Sequence, residues 1–337
     1  GVIYWQHYQI KSIPQVNLQE KVLIKQITIK TKVDPQNLES YELKTAEGHY
    51  LLWEGHYFAE TNRLIYDGTE IPFNGNLFRI ALSKNGLHYA YVTEDNGIYN
   101  IYIDNKKVIS LSDIQSFDIT ADGKHYFYTA ADQKGDLGNI LFKDGKEIFR
   151  HEPGILEFWI SENGSDYLIS LRNVDLNGNF IESLALNGKE VYRGCELKEK
   201  VFSSNGKHYA YIVNPQEFCT NFVDPSKIEK NSKLVINGKT KLESPNLIFL
   251  QLTNLGHYAV LDNHINKLYI DTRVYDTEVE RTIRVWINED ASYYLTYDGE
   301  IWKLNGTPIQ LGNRIVEVEM KGTVNKTIIY IYRFEKP

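Results

Sequence analysis

Five of the nine histidines stand at one place in a recurring motif: His49, His88, His125, His208 and His257. Imidazole ligates metals and serves as acid or base near neutral pH. A metal centre needs its ligands to converge on one ion. Residues that recur once per repeat are spread with the repeats, so these five do not converge unless they line a common axis. Each precedes a tyrosine, and neighbours on a strand face opposite sides. That pattern suits a side chain packed or hydrogen-bonded between repeats, and no metal or cofactor is expected. His56, His151 and His264 lie in loops, without ligand-like spacing. The repeated hydroxyls Ser83, Thr120 and Ser161 are candidate nucleophiles by type, but the sharp Gly-x-Ser-x-Gly elbow is absent. They are expected to cap their own turns.

The motif that carries these residues is Ser-x-Asn-Gly-x-His-Tyr or a close variant. It opens at Ser83, Thr120, Ser161 and Ser203, with eroded copies at Thr45–Tyr50, Thr253–Tyr258 and Asn288–Tyr294. A second turn follows each copy: Asp67-Gly68, Asp104-Asn105, Asp144-Gly145, Asn187-Gly188, Asn237-Gly238, Asp271-Thr272 and Asn305-Gly306. Residues 155–192 show one unit. Ile155–Ile160 is an apolar strand, Ser161–Gly164 turns, and Tyr167–Leu171 returns. Ser183–Leu186 is a third strand, Asn187-Gly188 turns again, and the polar Lys189–Tyr192 is outermost. Asn-Gly tolerates the two positive φ angles of a type I′ hairpin turn. Four antiparallel strands in about 40 residues make a β-propeller blade. Helical periodicity is absent over any useful length.

The fold expected is all-β: a single propeller domain over residues 1–337, with seven complete repeats at about 39–311. Residues 1–38 and 312–337 are expected to close the ring. Arg314–Met320 and Thr327–Phe334 read as first and second strands, Val2–Tyr8 and Gln9–Ile13 as third and fourth. A ring closed by strands from both ends avoids exposed edges, so an eighth, composite blade is expected; seven blades are the alternative. Val22–Val33 fits neither count and reads as an added hairpin or a long leading strand.

The chain carries 37 basic and 44 acidic residues, a net charge of −7. That excludes the basic footprint of a nucleic-acid binder. No apolar run approaches a membrane span. The chain starts at Gly1 and reads either as a mature or trimmed form that has lost a signal peptide or anchor, or as a trimmed cytosolic protein with a tag scar. Its Asn-, Ile-, Lys- and Tyr-rich bias points to a prokaryotic, AT-rich genome.

Ser-x-Asn-Gly-Lys-His-Tyr-Ala-Tyr-Ile at Ser203–Ile212, followed by Leu-Val-Ile-Asn-Gly-Lys at Leu234–Lys239, resembles the TolB-type, WD-like propeller repeat of bacterial proteins. The resemblance spans roughly residues 45–311. It implies an extracytoplasmic propeller serving in binding or assembly. The proline that usually follows the serine is missing from every copy, and so is the Gly-His and Trp-Asp pair of eukaryotic WD repeats. Sialidase turns, Ser-x-Asp-x-Gly-x-x-Trp, are not matched, because Gly follows Asn directly and Tyr replaces Trp. Glycosidase propellers need two carboxylates a few ångströms apart, and no spacing singles out such a pair. Residues 175–179 faintly resemble a calcium loop but lack the distal glutamate.

Propeller topology puts the blade connections and the loops between second and third strands on one face. Cys195 lies in a blade connection and Cys219 in a second-to-third-strand loop, so a Cys195–Cys219 disulfide is expected, with an oxidising compartment. The same face carries the long loops, including residues 54–61, 130–138, 150–154 and 214–231. Function concentrates in variable loops on a rigid frame. The candidate binding residues are therefore Phe218, Phe222, His56, Tyr57 and His151. The function expected is a non-catalytic, monomeric scaffold that binds a protein or glycan partner through this face. The alternatives are a hydrolytic propeller with acidic residues at the mouth of the axial channel, and a structural ectodomain of a membrane-anchored protein.

Overall fold

A computed structural model describes residues 21–31, 33–34, 41–55, 62–132, 138–175, 178, 180–214, 231–277 and 284–336. Among them there are strands and turns and no helix. The strands form eight separate sheets arranged as an eight-bladed propeller. Blades 1 to 7 occupy residues 41–71, 76–111, 116–150, 154–194, 197–244, 247–276 and 284–309. Each is a four-stranded antiparallel meander in chain order.

Blade 8 is composite. Ile315–Thr323 pairs antiparallel with Lys326–Glu335, and Val22–Lys30 then pairs parallel to Lys326–Glu335. The segment that fitted no blade in the sequence is thus the strand that brings the two ends of the ring together. Its direction has a topological cause. Lys30 must lead into the innermost strand of blade 1, Tyr41–Ala46, which starts on the long-loop face. Only a strand running as second and fourth strands do ends there. Placed third, it must pair parallel. Val2–Tyr8 and Gln9–Ile13 lie outside the described residues.

The seam so formed is as well packed as any other. Val22 and Ile24 join Trp302, Leu304, Ile309 and Ile329 on the blade 7 side. Ile29 joins Tyr50, Leu52, Ile65 and Tyr332 on the blade 1 side. This alternation is that of a strand buried on both faces. Each such side chain stabilises the ring by about 1.5–3 kcal/mol.

The two repeated turns differ. In six of the seven second turns both central residues take positive φ, as at Asn187 (50°) and Gly188 (80°), the type I′ pattern; at Asp271-Thr272 only Asp271 (51°) does. In the first turns of blades 2 to 6 only the glycine does: Gly164 has φ 66° while Asn163 is not in that region; blade 1 keeps two positive angles, at Glu47 (51°) and Gly48 (95°), and blade 7 has Ala291 (51°) in the glycine's place. The type I′ reading of the full motif's first turn is therefore corrected. It is a wider turn, closed by Gly164 N donating to Ser161 O at 2.9 Å and Ser161 N to Asp166 O at 2.9 Å. Its asparagine acts through its side chain: Ser161 Oγ and Ser165 N both donate to Asn163 Oδ1, at 2.8 and 3.0 Å. Ser83, Thr120, Ser161 and Ser203 are buried and cap their own turns as expected. The Oγ of Ser83, for example, accepts from His88 N at 2.9 Å.

Candidate functional site

The repeated histidine is a clip. His49, His88, His125 and His257 each place Nδ1 against the second-turn aspartate of the same blade: Asp67 at 2.6 Å, Asp104 at 2.7 Å, Asp144 at 2.6 Å and Asp271 at 2.8 Å. The other carboxylate oxygen accepts the N–H of the following tyrosine, as Asp67 Oδ1 does from Tyr50 N at 2.9 Å. One side chain thus ties the two turns of a blade together. The rings of His49, His88 and, in blade 5, His208 lie under the first-turn glycine of the next blade. A Cβ on Gly86 would stand 2.6 Å from His49 Cβ, and one on Gly123 2.6 Å from His88 Cγ. The expectation of a contact between blades holds for this packing; the hydrogen bond is within the blade.

The pair varies in blades 4 and 5. Blade 4 has Asp166 in place of histidine, and its partner is Asn187, whose Nδ2 donates to Asp166 Oδ1 at 2.8 Å. An aspartate there would face like charge. In blade 5 Asn237 Nδ2 donates to His208 Nδ1 at 2.9 Å. Burial, followed by the Lys207 charge, holds the His208 pKa below the usual imidazole value.

Inside the ring, a cavity of about 530 Å³ opens along the axis among the ends of the innermost strands, lined by Lys84, Gln251, Glu289, Glu317, Glu319 and Lys321 among others. Five innermost strands carry a β-bulge near their start: the register shifts between Leu77/Arg79, Ile155/Glu157, Leu197/Glu199, Ile248/Gln251 and Ile315/Glu317. A bulge re-aims the residues after it, and in each case the shift ends on a charged or amide side chain. Glu317 lines the cavity yet is enclosed by the strands, and that enclosure, with Glu319 close by, raises its carboxyl pKa. Burial raises Asp118 and Glu199 likewise. Lys84 reaches from the first turn of blade 2 to Ile160 O of blade 4, 2.8 Å away; its enclosure lowers its pKa.

Several other carboxylates hold the ring together. Glu319 accepts from Tyr332 OH at 2.9 Å and from Glu47 N at 2.8 Å. Glu289 accepts from Asn254 N at 2.9 Å. The buried Glu182 accepts from Leu197 N at 2.8 Å and pairs with Lys200 Nζ at 2.9 Å. Sequence reading missed these, because nothing in their spacing announces a contact between blades. No cluster of three or more potential metal ligands is present among the described residues.

The long-loop face collects exposed apolar side chains. Ile98, Val174, Phe180, Ile265 and Ile301, each 39–52% exposed, all stand at connections between second and third strands. The Arg172 guanidinium lies over the Phe180 ring, 5.5 Å from its centroid. His151 is on this face too, with Nε2 3.0 Å from Arg172 O. Phe218, Phe222, His56 and Tyr57 lie outside the described residues, so His151 is the one candidate binding residue that the structure places. Cys219 also lies outside them; Cys195 stands in the connection from blade 4 to blade 5 and is not a free thiol.

No protein-family model and no curated protein matches the chain. Several solved structures are similar to it. The propeller domain of the Trilobed protease from Pyrococcus furiosus, with an open velcro topology, is 12% identical, with a TM-score of 0.44, over 85% of this chain and 96% of that one. Pyrococcus horikoshii acylaminoacyl peptidase is 11% identical, with a TM-score of 0.45, over 89% of this chain and 58% of that one. Kuenenia stuttgartiensis hydrazine synthase is 12% identical, with a TM-score of 0.40, over 88% of this chain and 98% of that one. At such identities the likeness bears on fold alone.

Proposed function

We propose that this chain is a binding propeller of the TolB-like kind, bacterial and extracytoplasmic, and acts as a monomer. It presents its long-loop face to a protein or glycan partner and performs no chemistry itself. The observation that carries this reading is the gathering of Ile98, Val174, Phe180, Ile265 and Ile301 at the loop tips of one face. Apolar side chains set around a rigid rim, with a guanidinium stacked on one of them, are the anchors that interfaces use. The short-turn face is instead consumed by the clips. The proposed Cys195–Cys219 disulfide would pin the longest loop to this same face. Two thiols titrating in the unreduced, denatured protein would end that part of the reading. The test of the whole is capture on glycan arrays and by crosslinking in the native extracytoplasmic fraction. Val174→Ser with Phe180→Ser should lose at least tenfold in capture, about 1.4 kcal/mol. Leu87→Ser with Leu255→Ser, on the opposite face, should not. Equal capture by both pairs would sink the proposal.

A second reading, a hydrolytic propeller, draws support from Asp118, Glu199 and Glu317, whose raised pKa values are the kind general acids need. Turnover of a generic glycoside or ester that Glu317→Gln abolishes would favour it over binding alone. A third, a structural ectodomain, predicts neither capture nor turnover.

A further inference from the structure

The axial cavity of about 530 Å³ has the size of sites that take small ligands. Its charged groups stand at two depths. The innermost strand of blade 8, Ile315–Thr323, runs from the long-loop side to the short-turn side. Glu317 follows its bulge near the start, and Lys321 stands four residues on, just before the turn. Lys84, in the first turn of blade 2, lines the cavity at the short-turn end as well. Burial lowers the Lys84 pKa most, Asp118 and Glu162 oppose this, and the Lys321 charge adds to it, so the two ammonium groups feel each other. Phe202, Leu252, Trp286 and Met320 give the same cavity apolar walls.

Most of the polar lining is already engaged. Both oxygens of Glu319 accept, from Tyr332 OH and Glu47 N. Glu289 Oε2 accepts from Asn254 N at 2.9 Å, and Gln251 Oε1 from Ile287 N at 3.1 Å. Three groups keep bonding capacity. Lys84 uses one of its three N–H bonds on Ile160 O. Among the described residues Lys321 Nζ has no hydrogen-bond or ion-pair partner, and Glu317 accepts only through Oε1, from Val318 N at 3.0 Å.

We propose that the cavity binds a short ω-amino acid, lying along the axis with its carboxylate at Lys84 and Lys321 and its ammonium at Glu317. A lone anion would meet Glu289, Glu317 and Glu319, and a lone cation would meet the two lysines. A zwitterion of matching span meets each end with the opposite charge. Four residues of extended strand set the Cα atoms of Glu317 and Lys321 about 13 Å apart. Two hydrogen bonds of about 2.8 Å each leave about 7 Å for the ligand, the span of a carboxylate and an ammonium joined by about five methylenes. The apolar walls take those methylenes out of water. This site is separate from the long-loop face and does not depend on the binding proposed there.

Isothermal titration calorimetry of the full chain tests this, with 6-aminohexanoate as the probe and hexanoate and hexylamine as its single-charge counterparts. Saturable binding of the zwitterion is expected, with each counterpart at least tenfold weaker. Lys321→Met and Glu317→Gln each delete one charge-assisted contact and should each lower the affinity for the zwitterion at least tenfold. Circular dichroism checks that the ring is intact, and if one variant fails to fold the other decides. No saturable heat up to about 10 mM zwitterion would overturn the proposal. Hexanoate or hexylamine binding as tightly as the zwitterion would overturn it too, because the cavity would then read one charge alone. So would an affinity for the zwitterion that either folded variant leaves within twofold of the parent chain.

Discussion

At the scale of single residues, the His–Asp clip makes a discriminating prediction. Asp104 performs two tasks: it partners His88 and it accepts from Tyr89 N at 3.2 Å. Asp104→Ala deletes both and should cost about 1–2 kcal/mol by urea denaturation. Asp104→Asn keeps the acceptor for Tyr89 N and suits the positive φ of 46° at this position, so it should cost under about 0.5 kcal/mol; Asn187 and Asn237 already do this work in blades 4 and 5. Equal losses for both variants would refute the shared-clip account. The histidines were legible as scaffold because they recur. Their partners were not, since the interval from histidine to aspartate runs from 14 to 19 residues and to Asn237 is 29, too variable to read as a motif.

Blade 5 adds a pH dependence of known sign. His208 accepts from Asn237, and its folded-state pKa lies below the unfolded value near 6.5 because burial, and then Lys207, disfavour its charge. The unfolded chain therefore binds more protons in that window. The stability that this neutral histidine contributes is present above the unfolded pKa and is lost as pH falls through it. Asn237→Asp rebuilds the clip of blades 1, 2, 3 and 6. The His208 pKa should then rise, and its contribution to stability should persist to lower pH. An NMR titration of the His208 ring reads this directly, and an unmoved titration midpoint would contradict it.

At the scale of elements, most of the architecture was legible, and the exceptions share a cause. Strands such as Leu77–Leu82 and Leu247–Leu252 are marked by local alternation and flanking turns, so their existence and order followed. The place of Val22–Lys30 depends on a partner about 300 residues away and on which face the chain must leave from, neither of which local pattern encodes. The bulges were equally silent, since one extra residue leaves the apolar alternation almost intact. Yet the bulge in Ile315–Thr323 gives Glu317 its setting. A carboxyl whose pKa is raised by burial destabilises the fold at neutral pH, because its stability contribution is present at low pH and lost as pH rises through the folded value. Glu317→Gln, which retains an acceptor for Val318 N (3.0 Å), should raise the thermal midpoint at pH 7 and lose that advantage at pH 4. A lower midpoint at pH 7 would show that the charge is compensated inside the channel after all.

At the scale of the whole molecule, the question is whether the ring opens at the seam between blades 8 and 1 or unfolds as one body. Covalent chain crosses this junction as it does the others, from Lys30 towards Tyr41. The noncovalent closure is the parallel pairing of Val22–Lys30 with Lys326–Glu335 inside blade 8; the junction itself is fastened by packing, by Thr31 Oγ1 donating to Glu54, and by a hydrogen-bonded node. Tyr332 OH donates to Glu319 Oε1 at 2.9 Å and accepts from Gly48 N at 2.8 Å, while Glu319 Oε2 takes Glu47 N at 2.8 Å. The first turn of blade 1 is thereby fastened to the second strand of blade 8. Ile29, Tyr332 and Phe334 are fully buried on the blade 1 side, so the seam is packed like the interior junctions, and in a repeat array in which each unit leans on its neighbours a blade at an opened seam keeps only one of its two. The ring should therefore unfold in a single transition, with far-ultraviolet and tryptophan signals coincident. Tyr332→Phe leaves a carboxylate without its donor and the Gly48 N–H without an acceptor. It should lower stability by about 1–3 kcal/mol, moving the midpoint without splitting it. If the variant instead shows an early step confined to amides of residues 22–54 and 315–335, the seam is an independent weak point, and the ring is held shut more loosely than its packing implies.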